Sequence, residues 1–120
     1  LTWGVSLGLY AVAILTVNNL RDLVEDKKNN KKTLCVRFGK SYGQTQYAIC
    51  LLIPISINSI WITINFTNHY QLILIPILLL SITLIKNIYN LSEYQLNPYL
   101  GKTAQLLFLF TVINSTLILL

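Results

Sequence analysis

The sequence predicts an all-α fold, a polytopic bundle of four transmembrane helices, on three observations. Hydrophobic residues make up 54% of the chain against 11% charged, and the mean hydropathy of +0.60 lies above that of ordinary soluble domains. From Ser41 to Ile85 there is no Asp, Glu, Lys or Arg, whereas a helix needs only about 20 apolar residues to cross the hydrocarbon core. The apolar runs are also too long and too continuous for barrel strands. In lipid each run must therefore satisfy its own backbone as a helix.

The first span is read at residues 1–20, from Leu1 to Leu20. A basic loop, residues 21–41, follows it, and the second span covers 42–66. The third, 70–88, is set off by the polar break Phe66-Thr67-Asn68-His69-Tyr70, where side chains can meet headgroups or water. Trp61 and Tyr70 suit that interface. Pro54 and Pro76 fall inside the second and third spans, a placement that membrane helices tolerate where neighbours re-satisfy the freed carbonyl. The fourth span is read at 102–120.

The basic residues set the orientation. Arg21, Lys27, Lys28, Lys31, Lys32, Arg37 and Lys40 lie between spans one and two, Lys86 and Lys102 flank the third connection, and the break at 66–70 has none. Four alternating crossings put all of them on one side, expected to be the cytoplasm or, in an organelle, the stroma or matrix. The net charge of +5 is thus a topology signal. It does not indicate a nucleic-acid partner, because the basic cluster is one short loop between spans of a lipid bilayer. The absence of Met and the opening directly in an apolar helix, without a charged n-region, read as a fragment of one membrane domain over 1–120. Cys35 and Cys50 lack metal-ligand spacing and are expected to be free thiols.

The chemistry concentrates in Asn18-Asn19-Leu20-Arg21-Asp22-Leu23-Val24-Glu25-Asp26, which carries span one past its basic end. On a helix Asn18, Asp22 and Asp26 recur at every fourth residue and line one face, so their oxygens can converge. Two carboxylates so placed repel each other, and the helix C-terminus opposes negative charge. A hard divalent ion such as Mg²⁺, held by one or two carboxylates plus waters and substrate phosphates, answers both problems. Lys27, Lys28, Lys31 and Lys32 follow at once and can neutralise the same phosphates. The plainer reading is a solvated helix end with an Arg21–Glu25 ion pair and lysines that only fix topology. The two asparagines count against it, since amides inside an apolar span are costly and tend to mark a site.

Asn18-Asn19-Leu20-Arg21-Asp22, then Asp26, then Lys31-Lys32-Thr33-Leu34-Cys35-Val36-Arg37-Phe38-Gly39 resembles the second aspartate-rich motif of the UbiA superfamily of intramembrane prenyltransferases. The form is most similar to the branch that prenylates 1,4-dihydroxy-2-naphthoate on the way to menaquinone. Asn97-Pro98-Tyr99-Leu100-Gly101-Lys102-Thr103-Ala104 is similar to the segment opening that family's last helix. The resemblance implies a nine-helix fold around a central cavity, of which this chain supplies helices six to nine and one of two motifs, and hence inactivity of the chain by itself. It implies that Asp22 and Asp26 bind Mg²⁺ with a polyprenyl diphosphate. Asn18, Asn19, Arg21, Lys31 and Lys32 would then hold the diphosphate, with the two lysines assisting its departure. Asn30 stands where the family has Gly, and Asn tolerates the left-handed backbone such a turn needs.

The implied reaction transfers a polyprenyl group to the naphthoate with loss of diphosphate and CO₂, giving a demethylmenaquinol, in a bacterial cytoplasmic or plastid membrane. Two variants stay open: a phytyl diphosphate donor, or another aromatic acceptor such as 4-hydroxybenzoate. A different class also stays open, a transporter or membrane subunit using Asp22 and Asp26 as a cation site. His69 lies at the end away from the motif, and Tyr42, Tyr47, Tyr89, Tyr94 and Tyr99 read as an interfacial aromatic belt.

Overall fold

The computed structural model describes residues 1–120, the side chain of Asn68 excepted, so the polar break is described but for that one side chain. In chain order it has α1 (Thr2–Arg21), α2 (Leu23–Lys28), α3 (Leu34–Phe38), α4 (Lys40–Asn65), a 3₁₀ segment (Asn68–Ile73), α5 (Leu74–Asn90), a 3₁₀ turn (Glu93–Leu96) and α6 (Asn97–Leu119). Four of these stretches are long and apolar enough to cross a membrane, and there is no strand among the described residues. The long axis of 52 Å exceeds a bilayer of about 40–45 Å with its headgroups.

Helix α1 packs chiefly on α4 and then on α6, while α5 packs on α4 and α6, so the four long helices close a ring. Tyr10, Val17, Leu51, Ile62, Ile77, Leu106 and Phe110 fill its centre. Outside, Leu15, Ile64, Leu79 and Phe108 stand exposed, as lipid-facing side chains do. Lipid is as apolar as these residues, so close packing and hydrogen bonds between helices hold the ring together. The Tyr47 and Thr103 hydroxyls meet at 2.8 Å between α4 and α6, a contact of a kind worth about 0.6–2 kcal/mol. Gln44 on α4 donates to the carbonyls of Ile88 and Tyr89 at the end of α5. At the other end Gln71 exchanges hydrogen bonds with Ser59, so the α4–α5 hairpin is pinned at both ends.

Local chemistry explains the boundaries. Pro54 lies inside α4, whereas Pro76 sits in the first turn of α5, where backbone N–H groups have no helical partner to lose. The last helix begins at Asn97 rather than at residue 102, because Pro98 fits the first turn of a helix and the polar Asn97–Lys102 stretch continues into it. Trp3, Trp61, Phe66 and Tyr70 stack in series at the end without basic residues, an aromatic girdle of the kind found at headgroup level. Tyr47, by contrast, is fully buried between helices and does not belong to a belt.

Helices α1 and α4 approach tightly at Gly43. A Cβ there would lie 2.7 Å from both Cys35 Sγ and Leu20 Cδ2, and those residues are only 1% and 3% exposed. Gly43→Ala is therefore expected to destabilise the protein by about 1–3 kcal/mol through overpacking. Thermal unfolding of the full-length protein in detergent checks this, with Gly101→Ala as the control because its Cβ would meet nothing within 4 Å.

Candidate functional site

At the basic end of α1 the backbone keeps its helical bonding past the last residue of the helix. Asp22 N–H donates to the Asn18 carbonyl at 3.0 Å, and Asp26 N–H to the Asp22 carbonyl at 2.8 Å. Asn18, Asp22 and Asp26 thus keep the spacing that shares one face. Beyond α2, Lys31 N–H returns to the Asp26 carbonyl. Asn30 adopts φ 55°, the left-handed conformation that its residue type tolerates. Thr33 then caps α3 by accepting from Val36 N–H, and Gly39 at φ 94° starts α4.

Arg21 organises what this backbone presents. Its Nε and Nη2 donate to Asp22 Oδ1 and Oδ2 at 2.7 and 2.8 Å, a two-pronged guanidinium–carboxylate pair. Nη2 also donates to Asn18 Oδ1 at 2.7 Å, and Nη1 to Asn97 Oδ1 at 3.1 Å. The pair forms with Asp22 and not with Glu25, the partner of the plainer sequence reading. This hydrogen bonding, more than the Arg21 and Lys31 charges, holds the Asp22 carboxyl below the usual carboxylate range against partial desolvation. The stability the pair contributes is accordingly present above the ordinary carboxylate value and lost only as pH falls through the lowered one.

Asp26 is in a different setting. It is 6% exposed, and Oδ1 lies 3.4 Å from Lys31 Nζ, while Oδ2 is buried without a partner. The two carboxylates therefore have separate basic partners. Asn19 is half-buried and makes no side-chain hydrogen bond among the described residues, and Lys32 is exposed.

An open cleft of about 700 Å³ lies against this end, lined by Arg21, Asp22, Glu25 and Lys28 on one side and Glu93, Tyr94 and Asn97 on the other. Of the four lysines after the motif, only Lys28 lines it. Sequence reasoning missed the opposite wall. Asn97-Pro98 announced a helix start, but no local pattern ties it to a residue as far back as Arg21. Glu93, at φ 51°, is a non-glycine residue in left-handed backbone, steadied by the reciprocal Ser92–Gln95 capping box. His69 is exposed at the other end of the bundle.

Among the described residues no group of three or more His, Cys, Asp or Glu side chains could hold a metal ion by itself. Two carboxylates, one with a bare buried oxygen, fit instead an ion that takes the rest of its shell from water and phosphate, as Mg²⁺ does. The Cys35 thiol, 1% exposed, is pushed up by burial and then by the Asp26 charge. Little thiolate forms at neutral pH, so maleimide should label Cys35 much more slowly in the folded protein than in denaturant. Equal rates, followed by peptide mass mapping, would show this loop to be open.

The sequence profile described as the UbiA prenyltransferase family matches residues 1–114. The chain is 35% identical over 74 residues to 1,4-dihydroxy-2-naphthoate octaprenyltransferase of Haemophilus influenzae, covering 59% of this chain and 24% of that protein. It is 49% identical over 45 residues to the Escherichia coli protein of the same name, covering 38% of this chain and 14% of that protein. The aligned stretches thus span a quarter or less of these relatives' length. No solved structure matches the chain.

Proposed function

Because the chain belongs to the UbiA prenyltransferase family, we propose that its protein transfers a polyprenyl group from an allylic diphosphate to 1,4-dihydroxy-2-naphthoate, releasing diphosphate and CO₂ and giving a demethylmenaquinol. The observation that carries this reading is the pairing of Asp22 with Arg21 on the wall of an open cleft at the basic end of the bundle, with Asp26 one helical turn on. The names of the two naphthoate octaprenyltransferases support the choice of acceptor. The chain acts as the carboxyl-terminal portion of a single prenyltransferase domain, with its basic loop on the cytoplasmic or stromal side.

In this mechanism Asp22 and Asp26 are the carboxylates that would hold Mg²⁺ with the diphosphate. The bound ion supplies positive charge against the charge that grows on the leaving group. Arg21, which has one N–H left over from its four hydrogen bonds, and Lys28 on the cleft wall bind the diphosphate oxygens. Asn18 holds the guanidinium in plane. Lys31 and Lys32, on the adjoining loop, add positive charge as the allylic carbon–oxygen bond breaks and its electron pair leaves with the diphosphate. The electron-rich ring then attacks the allylic cation where the bilayer-embedded bundle excludes water. The prenyl tail enters from the membrane, which accounts for an enzyme built as apolar helices.

Membranes carrying the full-length protein, supplied with an allylic prenyl diphosphate, test the reading. Prenylation of 1,4-dihydroxy-2-naphthoate is expected, dependent on Mg²⁺, and none of 4-hydroxybenzoate. Product from the benzoate alone would move the acceptor, preference for phytyl diphosphate would move the donor, and no product with any allylic donor would reject the proposal. Asp22→Asn or Asp26→Asn should each lower turnover by about two or more orders of magnitude, since each removes a charge needed in the transition state, while membrane insertion is unchanged. Near-normal turnover would remove that residue from the site.

A further inference from the structure

We propose that Asn97, at the start of α6, is a positioning residue for this reaction, acting through Arg21 on Asp22; the inference rests on the function proposed above. Asn97 is the first residue of α6, with Leu96 in the capping position, so its side chain is not engaged as the cap of its own helix. Its carbonyl oxygen instead accepts from Arg21 Nη1 at 3.1 Å, across 76 positions of sequence. Among the described residues this is the one hydrogen bond that ties the α5–α6 connection to the end of α1.

The guanidinium is thereby fixed by three residues on different sides. Asp22 takes Nε and Nη2, Asn18 takes the second Nη2 proton, and Asn97 takes one Nη1 proton. A guanidinium carries five N–H groups, so one Nη1 proton remains, on a residue that lines the cleft. Without Asn97 nothing on the α6 side stops the planar group from swinging about its bonds to Asp22. The remaining N–H and the Asp22 oxygens would then lose a fixed relation to the opposite wall, where Glu93 and Tyr94 stand. Small misplacement of groups around a reacting centre costs turnover far out of proportion to the stability lost.

Turnover of the full-length protein tests this with a set of variants chosen to separate reach to Arg21 from a local preference for a small polar residue at the helix start. Asn97→Ala should lower kcat by about 10–100-fold, with the KM for the aromatic acceptor nearly unchanged. Asn97→Gln keeps a carbonyl acceptor on a longer side chain, and should recover most of the loss. Asn97→Ser keeps a small polar side chain at the first helical position but is too short to reach Arg21, and should stay as low as Asn97→Ala. With Arg21→Lys already present, Asn97→Ala should cost little more, because coupled residues are non-additive. Rescue by Ser and not by Gln, or losses that simply multiply, would overturn the proposal and leave Asn97 as a helix-start residue. Thermal unfolding of the same single and double variants reports the Arg21–Asn97 contact independently of chemistry. If the unmodified protein prenylates no acceptor, the function proposed above fails and the catalytic role falls with it; coupled unfolding then still marks a structural contact. Coupled unfolding with uncoupled turnover in an active protein would likewise overturn the positioning role.

Discussion

Water is absent from the bilayer core, and that constraint decides where this chain can keep polar chemistry. An unsatisfied polar group in hydrocarbon costs several kcal/mol, so hydroxyls inside the spans turn back onto their own helix. Ser6, Thr16, Ser56, Thr63, Ser81, Thr83, Thr111 and Thr116 each donate to the carbonyl four residues earlier. Side chains spent this way are chemically silent. Tyr10 Oη, Asn58 Nδ2 and Asn114 Oδ1 stay buried within the spans without a partner, but the charged side chains gather where helices end, and there the chain places Arg21, Asp22 and Asp26 beside Asn18 and Asn97.

The same constraint shapes the packing. Since lipid gives no net reward for burying leucine against leucine, helices associate where backbones approach closely or where polar groups pair. Gly43 provides the first, against Leu20 and Cys35; Tyr47 with Thr103 and Gln44 with the end of α5 provide the second. Gly43 and Gln44 lie within the first turns of α4, close to the basic end. Two joints of the bundle therefore stand beside the motif, and the end of α1 that carries Asp22 is held against α4.

Much of this was legible in the sequence because the signals are local. Composition and the charge-free run specify helices in lipid, and a four-residue spacing specifies a shared face whatever lies around it. Asn30 could be read as a left-handed turn residue because its conformational tolerance is intrinsic. What could not be read depends on contacts between distant segments. Tyr47 looks interfacial from its position, yet a partner on α6 draws it inward. Arg21 has an acidic residue both next to it and four residues on; only the orientation of the side chain, with Asn18 and Asn97 completing its hydrogen bonds, selects Asp22. Glu93 and Tyr94 carry no motif, the segment that begins at Asn97 speaks only of a helix start, and only the closing of α6 against α1 brings these residues to the cleft.

The difference between the two aspartates bears on how such a site can be filled. Carboxylates four residues apart on a helix repel, and each is neutralised here by a basic side chain of the chain itself. Arg21 grips Asp22 with two short bonds, whereas Lys31 meets Asp26 through a single 3.4 Å contact that leaves the second oxygen bare. A buried charge stripped of its partner costs several kcal/mol, so emptying the pair at Asp26, 6% exposed, before substrate arrives would be unfavourable. Under the proposed function, the diphosphate would offer phosphate oxygens to the spare N–H of Arg21 and to Lys31, and Asp26 would give up Lys31 in exchange for a cation held by the aspartates. Every charge stays paired throughout the exchange. Asp26, with the weaker partner and the free oxygen, is the natural place for that exchange to begin. Asp22, whose partner is braced by Asn18 and Asn97, would keep its pair with Arg21 and with it a fixed direction toward the cleft.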